Sequence, residues 1–322
     1  MAILRIVANP ADVGVGGYNW YTTTGNNRFN SERVEGAFEF PNQTTLSVAH
    51  PVGAAEVWYH FRYAHVWTNS SLGNATVFEV RDANSNIIAL MSTVASQSLR
   101  VSATGVTTAN SGSQAISAGT AYSIDVQVIV NTTITVRWYI NGALYADLSV
   151  LNNSGTIRGV PASVTMRSND QYITTYISEM IIANEDTRGM RVREMRPKAF
   201  GIFQEWDGVI ANLRDTDLAT GISVDEANRR VSFGITNVEN VAPGDVINRV
   251  VAQTFAQRGE SGLSQFNHFF RHRDGTVTDG AAQNLSVLGN FFIEEFPINP
   301  KTGLAWQPED FRSLQSGIRS LA

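Results

Sequence analysis

The chain has 322 residues, 43% of them hydrophobic, and no cysteine. That length suits two domains, and the apolar content is enough for real cores, which excludes global disorder. The missing cysteine excludes disulfides, zinc–thiolate sites, iron–sulfur clusters and cysteine nucleophiles. A net charge of −5 with 16% charged residues lacks the basic excess of a general nucleic-acid binder. Only Lys198 and Lys301 among the 24 basic residues are lysine; arginine suits bidentate pairing at interfaces, although genomic base composition explains the bias as well. The N-terminal run Ile3-Leu4-Arg5-Ile6-Val7 reads as a strand, without the pattern of a secretory signal. No uninterrupted apolar stretch approaches the roughly 18 residues of a spanning helix, so no membrane partner is expected.

Period-two alternation dominates the first two-thirds of the chain. Residues 57–63, Val-Trp-Tyr-His-Phe-Arg-Tyr, read as a half-buried strand. Residues 76–81 and 87–91 flank Asp82-Ala83-Asn84-Ser85-Asn86, which is turn chemistry, so this is a hairpin. Residues 122–130 and 133–140 alternate well, and Asn141-Gly142 fits a type I′ turn into the return strand 143–148. Further strands are expected at 163–166 and 172–183. This succession, with no competing helical period, predicts an antiparallel β-sandwich.

The order of these strands resembles the concanavalin-like jelly roll, the laminin-G and lectin sandwich. It is carried by Trp138-Tyr139-Ile140-Asn141-Gly142, the return strand, and a terminal Ile177-Ser178-Glu179-Met180-Ile181-Ile182-Ala183. Residues 177–188, continuing through Asn184-Glu185-Asp186-Thr187-Arg188, resemble more narrowly the jelly-roll domains of tailed-bacteriophage virion proteins. Asn299-Pro300-Lys301-Thr302-Gly303-Leu304-Ala305-Trp306 resembles the ending of many phage structural proteins. The resemblance implies a non-enzymatic virion component of tail, baseplate, fibre or decorated capsid. It also implies other virion proteins as partners and a homo-oligomer, with a trimer favoured. A lectin-like module binding host-surface glycans is the alternative.

The expected domains are 1–198 and 199–322. The boundary region 191–201 holds a basic cluster around Pro197, which opposes a regular ladder. That cluster reads as a linker held by arginine forks, against the alternative of a patch for an acidic partner. Residues 230–235, 246–256 and 284–293 alternate again, predicting a second, smaller β-sandwich. A closing helix is expected from Pro308, with Glu309 and Asp310 at its positive end and Phe311, Leu314, Ile318 and Leu321 as its apolar stripe. The overall expectation is all-β, two sandwiches with a short C-terminal helix.

The catalytic and metal-binding motifs in the sequence are incomplete. Jelly-roll glucanases carry carboxylates in an E-x-D-x-x-E pattern on one strand face. Glu205-Trp206-Asp207 begins it, and Ile210 ends it. His268 and His272 have the spacing of a helical zinc motif, with Phe269 where the general base belongs. Asp274-Gly275-Thr276-Val277-Thr278-Asp279-Gly280 lacks the ligand pattern of an EF-hand loop. No catalytic residue, metal or cofactor is therefore expected. Tyr18, Trp20 and Tyr21, in a Gly/Asn/Thr-rich segment, are candidates for contact with a glycan or partner. Trp58, Tyr59, Tyr63 and Trp67 are assigned to packing. Trp306, Phe311, Arg312 and Arg319 are candidates for an assembly interface, since Trp and Arg are frequent anchors. The competing role for Trp306 and Phe311 is to seal the second core.

Overall fold

Asn141 and Gly142 adopt φ of +51° and +80°, as a type I′ turn requires, and this fixes the register of the strands they join. Those strands are β12 (Thr133–Ile140) and β13 (Ala143–Leu151), and β12 pairs in turn with β11 (Tyr122–Val130). Ile124, Val126 and Val128 of β11 and Ile134, Val136 and Trp138 of β12 point into one core, their alternate neighbours to the other face. A computed structural model of the chain describes all residues except 1–2, 9–11, 14–17, 23–35, 42, 53, 68–74, 95–97, 171, 215–216, 237–240 and 261. The side chains of Tyr21, Thr22 and Trp67 also lie outside the description.

The described chain divides into two compact units, 1–192 and 193–322. In the first, β5 (Glu56–Trp67), β15 (Ile173–Ala183), β3 (Gly36–Phe40) and β2 (Asn19–Thr22) extend the sheet beyond β11, and β1 (Ile3–Val7) also pairs with β15. The facing sheet has β8 (Ser98–Thr104), β7 (Ile87–Val94), β6 (Thr76–Asp82), β14 (Pro161–Arg167) and β4 (Thr45–Ala49) in that order. The short β10 (Gln114–Ala115) and β9 (Thr108–Asn110) lie against β8. All these pairings are antiparallel, and the inner faces meet in one core where Phe61 stacks on Phe78 at 4.5 Å. This is a jelly-roll β-sandwich. Burying each such side chain contributes about 1.5–3 kcal/mol.

One irregularity matters for the outer face. β15 shifts register against β5 between Ser178 and Ile181, and Glu179 takes φ +53° there. The bulge changes which parity points inward. Ile177 faces the core before it, Met180 and Ile182 after it.

The second unit is all-β and lopsided. Its main sheet has the order β16 (Pro197–Gln204), β17 (Arg230–Ile235), β22 (Gln315–Leu321), β19 (Gln265–Arg271), β20 (Val277–Asn284). A two-stranded ribbon, β18 (Val250–Ala256) and β21 (Asn290–Phe296), lies over β19. Phe266 meets Phe292 at 5.2 Å and Phe270 meets Phe296 at 4.8 Å across this contact. The expected strand 284–293 instead spans the end of β20, a loop and the start of β21.

The expected C-terminal helix is absent. Pro308–Phe311 form one 3₁₀ turn, with Gln307 and Asp310 bonded reciprocally as in a capping box, and β22 follows in the middle of the sheet. Ser313 breaks the helical path at φ +63°, and Gly317 lies under the Phe269 ring, where a Cβ would collide. The unit boundary falls at Val192/Arg193, six residues before the expected 198/199. Pro197 sits at the first position of β16, where its missing N–H disturbs no inner ladder, so the strand begins inside the supposed linker.

Candidate functional site

The outer face of the first unit's large sheet holds a polar network. Trp58 and His60 on β5, Asp125 and Gln127 on β11, and Arg137 and Tyr139 on β12 share it through strand alternation. Glu56 Oε1 accepts from Trp58 Nε1 at 2.8 Å and from Gln127 Nε2 at 2.7 Å. Arg137 donates to Gln127 Oε1 at 2.9 Å and to Asp147 at 3.1 Å. His60 Nδ1 lies 2.8 Å from Asp125 Oδ1, and both side chains are buried.

Residues 184–192 cover this face as a strap. Thr187, fully buried, donates its hydroxyl to Asp125 Oδ1 at 3.0 Å. Gly189 at φ +79° supplies the left-handed position of a turn closed by Met190 N–H on the Thr187 carbonyl. That turn sets the Arg188 guanidinium 4.7 Å over the Tyr139 ring and 5.6 Å over Trp58, and those two rings stack on each other. Asp186 accepts from Arg188, which holds the Asp186 carboxyl below its ordinary range. Arg191 Nη1 reaches His60 Nε2 at 3.3 Å. The Thr187 hydroxyl bonds the carboxylate rather than the imidazole, and the His60 Nε2 faces Arg191.

A second imidazole bridges the other unit. His268 lies with Nδ1 2.9 Å from Glu294 Oε2 and Nε2 3.0 Å from Thr254 Oγ1. Glu294 also accepts the Ala281 N–H, approaching over Gly280, where a Cβ would clash with the carboxylate. The group braces β18, β19, β20 and β21 together. His268 and His272 occupy and follow a strand rather than a helix, and His272 Nε2 pairs with Thr278 Oγ1. Among the described residues no cluster of three metal-ligating side chains occurs.

The other predicted residues fall as follows. Tyr18 and Trp20 are half-buried and meet Phe38 edge-on at 5.0 and 5.3 Å. Burial, with Asp12 adding to it, pushes the Tyr18 hydroxyl up to about 12. These two rings pack on the sandwich core rather than standing free; the Tyr21 side chain lies outside the described residues. Trp306 is buried against Phe270 and Phe311, and its indole donates to the Phe296 carbonyl at 2.8 Å. Trp306 and Phe311 therefore seal the second core and cannot be surface anchors. Arg319 donates to Asp279 and to Asn228 within its own unit. Arg312 alone of the four is exposed.

The arginines of the boundary segment are engaged locally. Arg193 pairs with Asp245, and Arg196 with Glu194 and the Arg214 carbonyl. Glu205 accepts the Arg230 N–H, outside any carboxylate pair. Among the sandwich aromatics, Tyr59 and Tyr63 lie in the core, whereas Trp58 takes the outer face under Arg188. The strap-covered face was readable only as the polar half of each alternating strand: Trp58-x-His60, Asp125-x-Gln127, Arg137-x-Tyr139.

Two other histidines set an expected pH response. His50 is lowered from its ordinary range by burial, against the opposing hydrogen bond that its Nδ1 makes to the Pro51 carbonyl. His272 is lowered by burial and by Lys301, with Asp274 and Asp310 opposing. The unfolded chain, with histidines near 6.5, then binds protons first as pH falls. Stability is full above about pH 6.5 and declines below it. Urea midpoints should fall between about pH 7.5 and about pH 5.5, a window above the carboxylate range. Equal midpoints would contradict neutral burial of these rings.

No protein-family model matches the chain, and no curated protein matches it. Among solved structures, the botulinum neurotoxin type G receptor-binding domain is similar over 58% of this chain and 43% of its own, at 12% identity and TM-score 0.38. An endo-β-1,4-glucuronan lyase from the fungus Trichoderma reesei is similar over 56% of this chain and 92% of its own, at 10% identity and TM-score 0.39. A carbohydrate esterase from the Shiga toxin-encoding bacteriophage phi24B is similar over 56% and 91%, at 11% identity and TM-score 0.39. The chain spans less than half the length of the neurotoxin domains it matches.

Proposed function

We propose that the protein is a non-enzymatic structural component of a tailed-phage virion, acting by holding neighbouring proteins in register. The observation that carries this reading is the self-closed outer face of the large sheet. Its carboxylate, imidazole and aromatic groups are engaged by Thr187, Arg188 and Arg191 of the same chain. A substrate-processing face would present such groups convergently to a cleft. Virion placement rests on the resemblance of residues 177–188 and 299–306.

The second of those segments supports a contact role. Asn299 N–H bonds the Leu304 carbonyl, Asn299 Oδ1 accepts from Lys301 N–H, and Gly303 takes φ +69°. This hydrogen-bonded loop leaves Leu304 69% exposed, and we take it as the apolar candidate for contact with a partner. Arg312 is the polar candidate. Association into a closed homo-oligomer, with a trimer favoured, is expected on sedimentation. Leu304→Asp should weaken it while leaving the fold intact. A monomer at every concentration, together with specific signals on a glycan array, would favour the host-glycan alternative. Hydrolysis also has one geometric foothold, the Thr254–His268–Glu294 chain. Turnover of activated esters that is lost in Thr254→Val would overturn the non-enzymatic reading.

A further inference from the structure

The contact between Arg191 and His60 depends on a proton. A guanidinium only donates, so Arg191 Nη1 at 3.3 Å requires an unprotonated Nε2 on His60. The other ring nitrogen, Nδ1, carries the hydrogen and donates to Asp125 Oδ1 at 2.8 Å. Thr187 occupies the same oxygen, and Asp125 Oδ2 is buried with no hydrogen-bond partner among the described residues. The strap therefore closes on a neutral histidine of one tautomer.

We propose that residues 184–192 form an acid-released strap, with His60 as the group that releases it. A proton taken up at Nε2 turns the acceptor of Arg191 into a donor facing another donor. Imidazolium and guanidinium then repel across the short gap between the buried ring and the exposed Arg191. Asp125 draws the imidazolium toward the sheet and away from the strap. The charged groups on the elements around His60 are Glu56 and Arg62 on β5, Asp125 on β11, Glu179 at the bulge of β15, and Glu185, Asp186, Arg188 and Arg191 on the strap. Asp125 stays on the sheet side, so it stabilises the protonated ring without holding Arg191. The Arg191 end opens first, and the Thr187 end keeps its bond to Asp125.

Hydrogen exchange on the whole chain tests this, with rates corrected for the intrinsic effect of pH. The Met190 amide, which donates to the Thr187 carbonyl next to Arg191, should exchange at least about tenfold faster at about pH 5 than at about pH 7.5, while β11 amides keep their protection. In Arg191→Met the strap should exchange fast at both pH values, with no step between them. In His60→Gln the side-chain amide can still donate to Asp125 and accept from Arg191, so the step should vanish with the strap closed. If His60→Gln leaves β11 unprotected, Arg191→Met decides alone. PH-independent strap exchange in the wild type overturns the proposal, as does a step of undiminished size in the variants that fold.

Discussion

Trp306→Ala should destabilise the second unit by about 3–5 kcal/mol, the usual effect of truncating a buried tryptophan. The side chain fills the space among Phe270, Phe311 and Leu314, and its indole satisfies the Phe296 carbonyl. Truncation leaves a cavity and an unpaired carbonyl in the same place. Amides of 193–322 should lose hydrogen-exchange protection while those of 1–192 keep theirs, because each unit has its own core. Arg312→Glu should leave stability within about 0.5 kcal/mol, since the side chain is exposed. If Trp306→Ala folds with full stability and only association suffers, Trp306 is an interface anchor after all.

Gly317→Ala should destabilise by about 1–3 kcal/mol. Gly317 pairs with Ser232 on β17 and Phe269 on β19, and an added methyl meets the Phe269 ring and the Val231 carbonyl. In the closing helix that the sequence suggests, the same change would stabilise by about 1 kcal/mol, because glycine is a poor helix former. The sign of the change, read from thermal melting, separates the two conformations.

Phe311, Leu314 and Ile318 recur at helical spacing, but Phe311 and Leu314 serve the second core from a turn and Ile318 stands in a strand. Spacing alone cannot tell these apart over so short a span. β19 was legible only as an aromatic-rich strand or turn around His268, for a related reason. Phe266 through Phe270 are all buried, so a strand covered on both faces shows no alternation. By contrast, β11, β12 and their Asn141-Gly142 turn were legible, because one face is apolar and the turn chemistry is local. The covered polar face was not legible. His60 and Asp125 alternate as solvent-facing residues do, and only the non-local strap buries them. Tyr18 and Trp20 show the converse, since a glycine-rich flank suggested exposure while Phe38 holds both rings.

A structural part of a phage particle stays with it through purification. Quantitative mass spectrometry of purified phage particles, after washing in high salt, should find this chain at a fixed copy number per particle, retained with the other structural proteins. Its absence from intact particles, with the protein recovered only in the unassembled fraction, would rule out the proposed virion role.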